Sequence, residues 1–111
     1  MTPPSSIRRI TAEEVSLSIQ EGKQAILLDV RTQGEYARGR LQNSINLPID
    51  ELEEKIAGVI PDKNQLIYVY CLSGARSDMA VDYLSQIGYH NALSMKSGLL
   101  AWRALKYELV I

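Results

Sequence analysis

Cys71 is a thiol in a position to act as a reagent. It ends the apolar run Leu66-Ile67-Tyr68-Val69-Tyr70 and opens Leu72-Ser73-Gly74-Ala75-Arg76-Ser77. The run reads as a buried strand, and the residues from Ala75 onward as the first turn of a helix. A thiol at that junction meets unpaired backbone N–H groups and the positive end of a helix dipole. Both favour the thiolate, which is the nucleophilic form. Ser73, Gly74, Ala75 and Ser77 are small enough for the backbone to approach a ligand closely, and Arg76 adds a fixed positive charge. The pattern describes an anion cradle with a nucleophile at its base. The plainer reading of a lone cysteine is a small, inert, buried hydrophobe.

The elements that position this loop follow from capping signals and periodicity. Thr11-Ala12-Glu13-Glu14 fits a capping box and opens a helix to about Gln20, stopped at Gly22. Ala25-Ile26-Leu27-Leu28-Asp29-Val30 has the near-continuous apolar character of a buried parallel strand. Arg31 to Tyr36 leaves the sheet as a loop or short helix broken at Gly39. Asn43 to Pro48 is extended, because Pro48 biases the residue before it away from helix. Asp50 is read as the cap of a helix with Leu52, Ile56 and Ala57 on one face, and Pro61 to Asn64 as a turn. After the Cys71 loop a helix runs to about Ile87 with Gly88 as its C-cap. Ala92-Leu93-Ser94 is a short strand, and Gly98 to about Leu105 a terminal helix with Trp102 turned inward. Strands alternating with helices give an α/β fold with a mainly parallel sheet. Ligands bind beyond the carboxyl ends of such strands, where Asp29 and Cys71 both lie.

Composition removes several function classes. With 111 residues, 46% apolar and 23% charged, the chain is one globular domain. A net charge of −1 gives no electrostatic case for nucleic acid or an anionic membrane surface. One cysteine forbids an intrachain disulfide, and one cysteine with His90 cannot make a zinc site. No metal and no cofactor are expected, and His90 is read as a surface residue. Residues 1–6 are read as a flexible lead without the apolar core of a signal peptide, so a cytoplasmic location is the default. No stretch approaches the length of a membrane span, and a monomer is the expectation.

Three ordered segments resemble rhodanese-like domains. Asp29-Val30-Arg31 with Glu35-Tyr36, Gly39 and Asn46-Leu47-Pro48 is similar to their first signature. Cys71 to Ser77 resembles their active-site loop, Cys-x-x-Gly-x-Arg-Ser, and Gly98 to Trp102 resembles their closing segment. The resemblance implies a three-layer domain over residues 7–111, with a central, mainly parallel five-stranded sheet flanked by helices. It also implies a thiosulfate sulfurtransferase-like activity. On this resemblance Cys71 would take a sulfane sulfur from thiosulfate or a related small-molecule donor, hold it as a persulfide, and pass it to a thiophilic acceptor. The backbone of Leu72, Ser73, Gly74, Ala75, Arg76 and Ser77 holds the persulfide and the incoming anion. With no resolving cysteine, the acceptor must be an external thiol or a protein.

Asp29, Arg31 and Glu35 are ordinary surface charges on spacing alone. Beside the loop they have a sharper reading, in which Glu35 or Asp29 pairs with Arg31 or Arg76 and holds the loop in place. Arg76 either joins such a pair or faces the substrate anion. Ser73 and Ser77 are either hydroxyl donors to the sulfur or small turn and N-cap residues. Two departures from the family pattern stand out: Gly39-Arg40-Leu41 lacks the usual histidine, and Ser97-Gly98 replaces a Gly-Gly pair. The competing functions are a non-catalytic interaction or regulatory module, and less favoured, a phosphatase or arsenate reductase. Those enzymes carry one residue more between the cysteine and the arginine than the four present here.

Overall fold

A computed structural model describes residues 7–111, so the segment read as a flexible lead lies outside the described residues. In chain order the elements are β1 (Arg9–Ile10), α1 (Ala12–Gln20), β2 (Ile26–Asp29), α2 (Gln33–Ala37), β3 (Ile45–Asn46), α3 (Leu52–Val59), β4 (Ile67–Tyr70), α4 (Ala75–Gln86), β5 (Ala92–Met95) and α5 (Gly98–Ala104). The strands form one sheet in the order β1-β5-β4-β2-β3, and every pairing is parallel. This is the three-layer α/β arrangement expected. The one strand not anticipated is β1, whose two residues pair with Ser94 and Met95 at the sheet edge.

The central strand β4 divides the core by the two-residue alternation of a strand. Ile67, Val69 and Cys71 share one buried cluster with Leu52 and Ile56 of α3 and Ala80, Val81 and Leu84 of α4. Tyr68 and Tyr70 join the other, with Ala12 and Val15 of α1 and Leu99 and Trp102 of α5. Each of the two tyrosines buries its ring while its hydroxyl finds a partner, as buried tyrosines do. The Tyr68 hydroxyl pairs with Ser18 Oγ at 2.9 Å, and Tyr70 Oη accepts from the Leu41 amide at 3.1 Å.

α1 starts as read, with Thr11 and Glu14 exchanging hydrogen bonds in a capping box. Asp50 does not cap α3. It lies inside a 3-10 turn, Ile49–Glu51, that runs straight into the helix and removes the need for a side-chain cap. Ala57 is exposed, and α3 buries Leu52 and Ile56 instead. His90 is exposed in a turn. The chain after α5 doubles back: Val110 pairs with Arg40 in an antiparallel bridge, and Trp102 Nε1 donates to the Glu108 carbonyl at 2.9 Å.

Candidate active site

Parallel pairing sets Asp29 opposite Tyr70, so the chain leaves β2 and β4 at the same edge of the sheet. Cys71 follows β4 directly, and α4 begins four residues later. Gly74 makes the turn possible. It occupies the N-cap position of α4 with φ of +108°, a left-handed conformation open to glycine and poor for other residues. Neither Ser73 nor Ser77 is therefore the cap.

The loop amides converge on sulfur. Cys71 Sγ accepts from the Gly74 amide at 3.1 Å and from the Ser77 amide at 3.4 Å. The thiol itself donates to Ser77 Oγ at 3.6 Å. Burial pushes the Cys71 thiol up, and the Ser77 amide and hydroxyl with the Gly74 and Ser73 amides outweigh it, leaving the thiol below its ordinary value. The residue is only 1% exposed. Behind the sulfur a second hydroxyl completes a small buried network: Ser77 Oγ lies 2.8 Å from Ser94 Oγ and donates to the Gly74 carbonyl at 3.1 Å. Ser94, on β5, carries no signal in the sequence that would connect it to Cys71.

The charged residues resolve into two separate pairs. Arg76 makes a two-pronged bond to Glu35, at 2.6 and 2.9 Å, across the start of α4 to α2. Glu35 also accepts from the Thr32 amide at 3.0 Å as the N3 residue of a capping box. The Arg76 guanidinium, followed by the Thr32 bonds, holds the Glu35 carboxyl at about 2 against the opposition of burial. Asp29 and Arg31 form the other pair, at 2.7 Å, fully buried. Arg31 also donates to the Gly39 carbonyl at 2.6 Å, and Asn46 spans the Asp29 and Arg31 carbonyls. Of the alternatives open for Arg76, its guanidinium takes the internal carboxylate. Leu72, Ser73 and Ala75 are exposed, while Gly74 and Ser77 are buried.

α5 braces the loop from behind. The Leu99 and Leu100 amides donate to the carbonyls of Cys71 and Leu72, each at 3.0 Å. Gly98 lies against that backbone so closely that a Cβ would sit 2.6 Å from the Leu72 carbonyl oxygen. Ser97, where a glycine was the pattern, holds the left-handed φ of +60°. A cleft of about 440 Å³ opens beside the loop, lined by Arg9, Ser73, Gly74, Ala75, Asp78, Lys96 and Ser97. A second, more apolar pocket of about 360 Å³, lined by Trp102 and Tyr107 among others, includes none of the loop residues. Among the described residues, no three His, Cys, Asp or Glu side chains are grouped to hold a metal ion.

A model of the rhodanese-like domain matches residues 11–105. A sulfurtransferase of Allochromatium vinosum is 31% identical over 96 residues, covering 86% of this chain and 88% of that protein. The thiosulfate sulfurtransferase PspE of Escherichia coli is 42% identical over 62 residues, 56% of this chain and 60% of PspE. The crystal structure of a rhodanese-related protein from Thermoplasma volcanium superposes with a TM-score of 0.83 at 35% identity, covering 93% of this chain and 97% of that one.

Proposed function

Since the chain belongs to the rhodanese-like domain family, we propose that it is a thiosulfate sulfurtransferase working through a Cys71 persulfide. Sulfurtransferase relatives support sulfur transfer in general. The observation that carries the finer reading is the convergence of the Gly74 and Ser77 amides on Cys71 Sγ, at 3.1 and 3.4 Å. Donors aimed at the sulfur stabilise negative charge there without reorganising during reaction.

In the first half-reaction the Cys71 thiolate attacks the sulfane sulfur of thiosulfate. A sulfur–sulfur bond forms to Cys71 as the bond to the sulfonate sulfur breaks, and sulfite leaves with that electron pair. The product is an anionic persulfide, so the negative charge stays over the same amides. In the second half-reaction a thiolate or cyanide attacks the outer sulfur, and the electron pair of the sulfur–sulfur bond returns to Cys71 as thiolate. Leu72 to Ser77 form the cradle, and Asp29, Arg31 and Glu35 support it without touching the reacting atoms. In this reading residues 7–111 are one such domain, monomeric and cytoplasmic, that works without a cofactor and draws on an external thiol or protein acceptor.

Intact-protein mass spectrometry after thiosulfate, and again after cyanide, tests this. One added sulfur atom, lost to cyanide and absent from Cys71→Ser, is the expected result. Cys71→Ser should unfold within about 1 kcal/mol of the parent, since a serine oxygen can accept from the same two amides. The 1% exposure of Cys71 favours a second reading, a binding module that has kept an inert cysteine. A thiol that takes no sulfur from thiosulfate and resists alkylation in the folded protein would establish that one.

A further inference from the structure

Arg76, the one cation within the loop, is committed to Glu35. A small anionic donor must therefore find its counter-charge elsewhere. The cleft beside the loop contains three charged side chains, Arg9, Asp78 and Lys96. Arg9 donates to the Asp78 carboxylate through Nη2 and Nε, at 2.9 and 3.3 Å, so these two charges cancel. Among the described residues Lys96 has no carboxylate partner, and residues 1–6 carry no carboxylate that could supply one. Its charge is left uncompensated.

The position of Lys96 is fixed although its side chain is exposed. It directly follows β5, its amide donates to the Ile10 carbonyl at 2.8 Å, and it precedes Ser97, whose backbone nitrogen lies against Gly74. Gly74 is the residue whose amide holds Cys71 Sγ. The lysine thus lines the same cleft as the loop residues Ser73, Gly74 and Ala75, and the Ser73 and Ser97 hydroxyls there are further hydrogen-bond donors.

We infer that Lys96 is the donor-binding residue of this cleft: it selects a small anionic sulfur donor, of the sulfonate-bearing class, over neutral donors. The Arg9–Asp78 bridge from β1 to α4 sets the strength of that selection by masking the Asp78 carboxylate. For the identity of the anion this inference rests on the sulfurtransferase reading. The charge of the cleft is one positive in the native protein. It becomes zero in Lys96→Gln, one negative in Lys96→Glu and two positive in Asp78→Asn.

The experiment measures two things on this series, with Lys96→Arg as the conservative control. The first is the rate of Cys71 sulfur loading against thiosulfate concentration. The second is the ratio of Cys71 alkylation rates by iodoacetate and iodoacetamide, an anion and a neutral reagent of similar size. Each unit of charge lost should raise the KM for thiosulfate and lower the alkylation ratio about three- to tenfold at low salt, with kcat nearly constant. Asp78→Asn should shift both the other way, Lys96→Arg should match the parent, and the differences should shrink at about 1 M salt. An alkylation ratio indifferent to the charge of residue 96 overturns the inference, even where thiosulfate loads Cys71 normally. A ratio that follows the charge series while thiosulfate never loads Cys71 upholds the anion cleft and removes thiosulfate as its donor.

Discussion

The amide of Leu99 donates to the carbonyl of Cys71 at 3.0 Å, so the first turn of α5 holds the backbone of the candidate nucleophile. The cradle is thus shaped from two sides. α4 presents its own first-turn amides to the sulfur, and α5 fixes the carbonyls that face away from it. Without the second contact the Cys71 and Leu72 carbonyls would be unpaired in a tight turn, at a cost of about 1–3 kcal/mol each if buried.

Gly98 permits that approach, and replacing it is the first prediction. A Cβ at Gly98 would meet the Cys71 carbonyl and lie 2.6 Å from the Leu72 oxygen, both backbone atoms with little freedom to move. The residue also has φ of +49°. Gly98→Ala should lose about 2–4 kcal/mol in urea unfolding and sharply reduce sulfur loading in whatever remains folded. Full loading at native stability would show that the loop does not depend on α5.

The Glu35–Arg76 bridge predicts an acid-labile contribution to stability. Glu35 is held at about 2, below its ordinary 4.5, chiefly by the Arg76 hydrogen bonds. A depressed carboxyl stabilises the fold above its unfolded value, and the contribution is lost as pH falls from about 4.5 toward 2. The pair is about a quarter exposed, so its contribution is set at about 1–2 kcal/mol. Glu35→Gln keeps an acceptor for the Thr32 amide and so isolates the bond to Arg76. Unfolding of parent and variant should differ by that amount near pH 6 and converge near pH 2. A constant difference across the range would assign the loss to packing.

Much of this arrangement was legible in residue types and spacing. The strand–loop–helix around Cys71, the strand ending at Asp29 and the inward Trp102 all follow from local patterns of apolar residues and caps. Contacts between distant segments were harder to read. Two-residue β1 is too short to show alternation, and its strand character comes only from pairing with β5. Asp50 looked like a cap because the 3-10 turn that replaces the cap has no distinctive composition. Thr32 and Glu35 do carry a capping-box spacing, which would have set the start of α2. The bracing by Gly98, the Ser94 hydroxyl and the choice of Glu35 for Arg76 depend on which elements the sheet order brings together. No local signal encodes that order.

Ser77 and Ser94 predict how the thiol titrates. As a thiol, Cys71 donates to Ser77 Oγ, whose own hydroxyl donates a hydrogen bond to the Gly74 carbonyl. As a thiolate it can only accept, so the Ser77 hydroxyl turns to the sulfur while Ser94 donates to Ser77. The Gly74 carbonyl keeps the Asp78 amide at 2.9 Å, so the turn leaves no acceptor unpaired. The pH midpoint of Cys71 alkylation should rise in Ser77→Ala and rise less in Ser94→Ala. An unchanged midpoint in Ser77→Ala would mean that the backbone amides alone hold the thiolate.

The Asp29–Arg31 pair should behave as structure and not as chemistry. Both side chains are buried: they bond to each other, the Asp29 carboxylate also accepts from the Arg31 amide, and the Arg31 guanidinium donates to the Gly39 carbonyl. Removing one partner strands a buried charge, so Asp29→Ala should lose about 3–5 kcal/mol in urea unfolding. Removing both charges together, in Asp29→Leu with Arg31→Met, should recover part of that loss because no unpaired ion remains. The KM for thiosulfate in the folded double variant should stay near the parent's, since neither side chain lines the cleft beside the loop. A double variant as unstable as Asp29→Ala would show that the hydrogen bonds to the backbone, and not the ion pair, hold this corner. A large rise in KM at native stability would move the pair into the binding site itself.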